Sequence, residues 1–131
     1  MKEVKDLRIV LVTCGSADEA DRIAHTVVEK RLAACVNCFE APVRSVYWWK
    51  DKVESSEEHL LLIKTEKRLL GKLYAEVRRL HLYELPEFIA LPIVSGSERY
   101  LDWMTRNLRL VVKPDRASAR KRPFRRSSRP A

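Results

Sequence analysis

The sequence predicts an α+β domain in which two helices lie on one face of a four-stranded sheet, with an additional helix at the C-terminal end. Three observations predict it. Apolar runs of strand length and stretches of helical periodicity follow one another in the order β-α-β-β-α-β. The two central strands read as one long hairpin over residues 43–65. The chain has 131 residues, enough for one domain with one core.

Residues 7–13 (LRIVLVT) are a continuous apolar run, as suits a central strand buried on both faces. Cys14-Gly15 ends it, and Ser16 with Glu19 three residues on forms a capping box. The helix that follows places Ala20, Ile23, Ala24, Val27, Val28 and Leu32 on one stripe, leaves His25 and Glu29 off it, and should stop near Arg31 or Leu32. A second strand begins at residues 33–39, and Pro42 predicts a bend after it.

The hairpin comes next. Val43, Val46, Tyr47, Trp48 and Trp49 have the β-branched and aromatic bias of a strand, and 50–52 (Lys-Asp-Lys) reads as the turn. The return strand ends in Leu60-Leu61-Leu62-Ile63. Twelve extended residues span roughly 40 Å, against a radius of gyration near 13 Å for a domain of about 100 residues. The hairpin therefore overhangs its own domain, and an overhanging edge needs a partner.

Thr65 is placed to cap a helix over 66–80 with Leu69, Leu70, Leu73, Val77 and Leu80 inward; Gly71 weakens it by about 1 kcal/mol relative to Ala. Pro86 fixes a turn in HLYELP. Residues 88–94 form a strand, in which Pro92 argues for an edge position or a bulge. Residues 95–97 are a turn, and a short helix over 98–107 presents Tyr100, Leu101, Met104 and Leu108 inward. Residues 110–112 allow a last scrap of strand. This order is the ferredoxin-like β-α-β-β-α-β sandwich.

The net charge of +8 misleads as a whole-chain figure. Residues 113–131 hold Lys113, Arg116, Arg120, Lys121, Arg122, Arg125, Arg126 and Arg129 against Asp115, a net of +7 that leaves +1 for residues 1–112. The division is a folded domain over 1–112 and a basic Arg/Pro/Ser-rich tail over 113–131, expected to be disordered. Charge gives no case for nucleic acid on the body. The tail admits nucleic acid or an anionic membrane through charge alone, although Phe124 is its only aromatic. No apolar run approaches the roughly 20 residues of a membrane span. Acids ahead of the first apolar run argue against a signal peptide. Three cysteines argue against a disulfide framework and for a cytoplasmic protein.

Several segments together resemble one family. VTCGS, EKRLAACVN, VRSVYWW, EHLLLIKT, HLYELPE, ALPIV and GSERYLDW are similar, in order and spacing over residues 7 to 108, to the CutA divalent-cation tolerance proteins. The resemblance implies the ferredoxin-like fold already reached. It also implies a homotrimer whose hairpins pair between subunits, a likeness in shape to the PII signalling proteins, and a role in divalent-cation tolerance. The chain departs from the family pattern at Leu82, where proline is usual, at Gly15, where many members have proline, and in its tail.

His81 is the first candidate ligand. It follows a helix end, with Tyr83 and Glu84 beside it, and an imidazole with a nearby carboxylate suits a borderline cation, copper before zinc. The plainer role is a cap on the last helical carbonyls. In some family members this histidine, a second one just before it and a cysteine late in the first strand hold copper. Here the preceding residue is Leu80 and the matching strand position is Val12, but Cys14 lies two residues on and shares its face. The expected metal set is His81, Cys14 and Glu84.

Cys35 and Cys38 form C-x-x-C, but in a strand an offset of three puts them on opposite faces, so they read as two buried thiols. Tyr47, Trp48 and Trp49 read as subunit interface. Glu58, Lys64 and Tyr83 are expected to line a cleft between subunits that would take a small anionic or metal ligand, by fold analogy. No Ser-His-Asp order, P-loop, paired-carboxylate or G-x-G-x-x-G signature is present, which argues against an enzyme. The leading reading is a trimeric, non-enzymatic cation-binding protein of metal tolerance. The alternatives are a PII-like sensor or scaffold, and a nucleic-acid-associated module acting through its tail.

Overall fold

The computed structural model describes residues 1–110. The predicted strand scrap beyond Leu110 and the tail at 113–131 lie outside the described residues, and Leu110 itself is in no strand. Seven strands and three α-helices follow one another: β1 (Lys2–Glu3), β2 (Leu7–Cys14), α1 (Ala17–Glu29), β3 (Cys35–Cys38), β4 (Val43–Trp49), β5 (Lys52–Glu66), α2 (Leu70–Leu80), β6 (Ile89–Pro92), β7 (Ser95–Gly96) and α3 (Glu98–Arg106). The mixed α+β class and all six expected core elements are present.

The main sheet runs β3-β5-β2-β6 with every pair antiparallel, and β4 also pairs with β5. β5 is the axis, because its 15 residues serve two purposes. Its C-terminal half lies between β2 and β3, with Val12 opposite Leu61 and Val36 opposite Ile63. Its N-terminal half pairs with β4 from Val43↔Glu58 to Trp49↔Lys52. β2 ends at Cys14↔His59, so among the described residues no strand covers that edge of β5 beyond it. The hairpin turns on two residues, Lys50 and Asp51, with φ of 50° and 65°, the paired positive values that suit a tight hairpin turn.

The core lies between one sheet face and the helices. Val10, Val12, Cys14, Leu61, Ile63, Ile23, Val27, Leu69, Leu73 and Val77 are buried in a single cluster. Strand alternation sends the intervening residues to the opposite face, where Ile9 lies across from Leu91, Leu11 across from Ile89, and Leu11 across from Leu62. That face is apolar yet open: Ile89 and Leu91 remain 49% and 45% exposed.

Five local expectations are corrected. Thr65 is a fully buried strand residue whose hydroxyl donates to the Leu32 carbonyl at 2.8 Å, so it caps nothing; a 3-10 turn at Lys67–Leu69 leads into α2 instead. α1 ends at Glu29, because Arg31 takes φ 57° and turns the chain; Leu32 is buried beyond the helix and Val28 is exposed. Ser95-Gly96 is a strand, paired with an N-terminal strand whose two residues carry no periodicity to read. Tyr100 is 40% exposed, while Leu101, Met104 and Leu108 are buried as expected. Cys35 lies opposite Lys64 and Cys38 opposite Leu61, on different faces as expected, but Cys35 is only half-buried and Cys38 is exposed. β3 is short and lies at the sheet edge, which leaves the thiols uncovered.

Candidate metal centre

The centre sits where β2 runs into α1. Ser16 caps α1 by accepting from the Glu19 N–H at 3.1 Å. The other half of the expected capping box does not form. Instead, the Glu19 carboxylate accepts from the Gly15 N–H at 3.2 Å and from the Leu82 N–H at 2.8 Å. Glu19 is 2% exposed and thus ties the start of α1 to the segment that follows α2.

His81 comes to the same point from the other side. Its backbone N–H closes α2 by donating to the Val77 carbonyl at 2.8 Å, but its ring does not cap the helix. The ring turns inward to β2, where Nε2 lies 2.7 Å from the Thr13 carbonyl. A carbonyl only accepts, so Nε2 carries the proton. Nδ1 accepts from the Tyr83 N–H at 3.1 Å and lies 3.2 Å from a Glu19 carboxylate oxygen.

Cys14, one residue past Thr13, points into the same space and is fully buried. Burial, followed by the nearby charges of Glu19 and Glu58, pushes its thiol up to about 12. Cys14, Glu19 and His81 form a closed group whose ligating atoms all lie within 4.8 Å of one another. A thiol, an imidazole and a carboxylate suit zinc or copper. Ligand atoms of one tetrahedral ion sit roughly 3.5 Å apart, by bond lengths of about 2.0–2.3 Å, so the group needs to contract by about 1 Å to hold one.

The structure unites part of the expected metal set. Cys14 and His81 meet, while Glu84 is exposed and outside the group. Glu19 stands in its place. Its one signal in the sequence was the capping box, which gave it a different task.

Two of the cleft residues also meet beside this centre. The Tyr83 hydroxyl donates to Glu58 at 2.8 Å, and the Tyr83 and His81 rings are 4.8 Å apart. Burial raises the Tyr83 phenol, and the Glu58 carboxylate raises it further. Burial also raises Glu87, with the Glu58 charge adding to it. Lys64 does not join them. It donates to the Tyr100 hydroxyl at 3.2 Å and lies over that ring. On the hairpin, Trp48 is 73% exposed, Tyr47 is exposed and bonded to Ser56, and Trp49 is half-buried.

A family model described as CutA1 divalent ion tolerance protein matches residues 8–107. The chain belongs to that family. The CutA protein of Thermus thermophilus is 44% identical over 99 residues, covering 76% of this chain and 95% of its own. The Archaeoglobus fulgidus CutA is 39% identical over 95 residues, 72% of this chain and 91% of that one. The chloroplastic CutA 1 of rice is 42% identical over 101 residues, 77% of this chain, and the chain spans only 56% of that protein's length. Among solved structures, the Thermus CutA1 superposes with a TM-score of 0.76 at 43% identity, covering 78% of this chain and 98% of that one. The rice CutA1 gives 0.77 at 40% identity, covering 80% and 95%. The matched family region runs from Arg8 in β2 through α3, and so contains every residue of the centre. Among the described residues, no helix is long and apolar enough to cross a membrane.

Proposed function

We propose that the chain is a homotrimeric, ferredoxin-like, non-enzymatic protein that binds a divalent cation at Cys14, Glu19 and His81, copper in preference to zinc, in the service of metal tolerance. The observation that carries this is the buried meeting of three donors of different type at one point. A cation there would exchange for the Cys14 proton. The imidazole would bind through Nδ1, giving up the Tyr83 N–H, since Nε2 carries the proton held by Thr13. Copper ranks first because a given nitrogen and sulfur site holds it more tightly than zinc.

The strand order β3-β5-β2-β6 with both long helices on one face supports the ferredoxin-like reading. Two features support assembly: the open apolar face around Leu11, Leu62, Ile89 and Leu91, and the uncovered edge of β5 on the overhang. An exposed apolar face and a free strand edge both call for a partner, and Val46, Trp48 and Val53 on the hairpin are exposed as well. A buried thiol held protonated is a poor nucleophile, which favours binding over catalysis. Three free thiols favour a reducing compartment such as the cytosol. The competing anion cleft around Lys64 has less support, because Tyr100 already holds that ammonium.

The experiment is a copper titration against a chromophoric chelator, comparing wild type with His81→Ala and Cys14→Ala. The proposal expects weaker binding in both variants. Equal affinity in all three proteins removes the site.

A further inference from the structure

A body that is almost neutral overall still gathers its charges. α1 is followed by Lys30 and Arg31, α2 ends near Arg79, and α3 is followed by Arg109; the contacts between these ends make one corner. The Arg109 N–H donates to the Arg31 carbonyl at 2.8 Å, and its guanidinium donates to the Lys30 carbonyl at 3.1 Å. Arg31 reaches Asn107, with its guanidinium 3.3 Å from the Asn107 carbonyl. Lys30 and Arg79 share one carboxylate, that of Glu76, which those two cations hold below the usual range.

The partners differ in kind. Lys30 and Arg79 divide a single negative charge between them. Among the described residues, Arg31 and Arg109 bond only to carbonyl and amide oxygens, and no carboxylate there compensates either charge. All four side chains are exposed. From this corner the chain continues into residues 113–131, which add a net +7 in sequence. The corner lies at the helix ends, away from the open sheet face that the proposed trimer would cover.

We propose that this corner is a docking surface for the phosphate backbone of double-stranded nucleic acid, read without regard to sequence. Three arginines in the group of four favour phosphate, because a guanidinium presents a planar fork to phosphate oxygens. A duplex is preferred to a single strand. It carries one charge per roughly 1.7 Å of axis, and single-strand binding draws on stacking aromatics, which these four residues do not include. A membrane surface is disfavoured because stable peripheral attachment needs an apolar face as well as charge, and Lys30, Arg31, Arg79 and Arg109 supply charge alone.

The test uses the full chain and a labelled 30-base-pair DNA duplex of arbitrary sequence over a salt series, a length of about three helical turns. Arms of duplex RNA, single-stranded DNA and phosphatidylserine vesicles run in parallel. The expected result is salt-sensitive binding to both duplexes in preference to single strands and vesicles. The Arg31→Gln/Arg109→Gln variant should lower the log–log salt slope by about 2 and weaken binding several-fold at fixed salt, with its circular dichroism unchanged. Lys50→Gln/Lys52→Gln at the hairpin tip should bind as wild type does. A corner variant with an unaltered slope, a hairpin variant with an equal loss, or binding to vesicles or single strands in preference to duplexes overturns the proposal.

Discussion

Replacing Glu19 with alanine tests how the centre is held together. Glu19 is 2% exposed and accepts from two backbone N–H groups, those of Gly15 and Leu82. A hydrogen bond to a charged acceptor contributes about 1.5–3 kcal/mol. Losing both, from donors that are only part-buried, costs about 3–5 kcal/mol. With a urea m-value of about 2 kcal/mol/M, the unfolding midpoint falls by about 2 M. Glu19→Gln keeps one acceptor oxygen and should lose about half as much. Because assembly would couple stability to concentration, all proteins are compared at one protomer concentration. Hydrogen exchange supplies a local readout, and the Gly15 and Leu82 amides should lose protection in the alanine variant. A midpoint shift below about 0.3 M, with both amides still protected, would refute the reasoning that Glu19 joins the two segments.

Gly15→Pro removes the N–H that Glu19 accepts and adds a Cβ 3.2 Å from the Tyr83 hydroxyl, so it should destabilise by about 1–3 kcal/mol; thermal unfolding at matched concentration would show otherwise if Tm rose. Because the folded Cys14 thiol sits at about 12 against an ordinary 9.0, its contribution to stability is complete below pH 9 and is lost as pH rises towards 12, a decline that Cys14→Ala should reduce in denaturation curves. The same protonated thiol makes cation binding release a proton, so copper affinity at the centre should rise about tenfold per pH unit between pH 6 and 8, and a pH-independent affinity would count against Cys14 as a ligand. Leu62→Glu puts a charge on the open apolar face opposite Leu11 and should shift the chain towards the protomer mass by light scattering, whereas an unchanged mass would place the interface elsewhere.

The fold was largely legible because its signals are local and periodic. The apolar run at 7–13, the stripe through Ala20, Ile23 and Val27, and the aromatic strand before the charged turn each determined an element, although Lys52, read as turn, opens β5. The misreadings arose where a tertiary contact outweighed a local signal. Thr65 has the chemistry of a cap but spends its hydroxyl on Leu32. Glu19 has the spacing of a capping box, yet its carboxylate is drawn to an amide 63 residues away. Cys14 and His81 were readable as a pair through the family resemblance, with strand alternation carrying the cysteine's place from Val12 to Cys14. Glu84 looked adjacent in sequence, but the turn carries it into solvent while the His81 ring faces inward. The corner at Lys30, Arg31, Arg79 and Arg109 was hidden for another reason: summing charge over the chain averages away what three helix ends bring together.

Native mass spectrometry of the purified protein after exposure to copper tests the central claim most directly, since one spectrum reports both assembly and metal. The account predicts an assembly of three protomers carrying one copper per protomer, with the copper lost and the assembly kept in His81→Ala. A protomer mass in wild type, or copper retained at the same stoichiometry without His81, would contradict it.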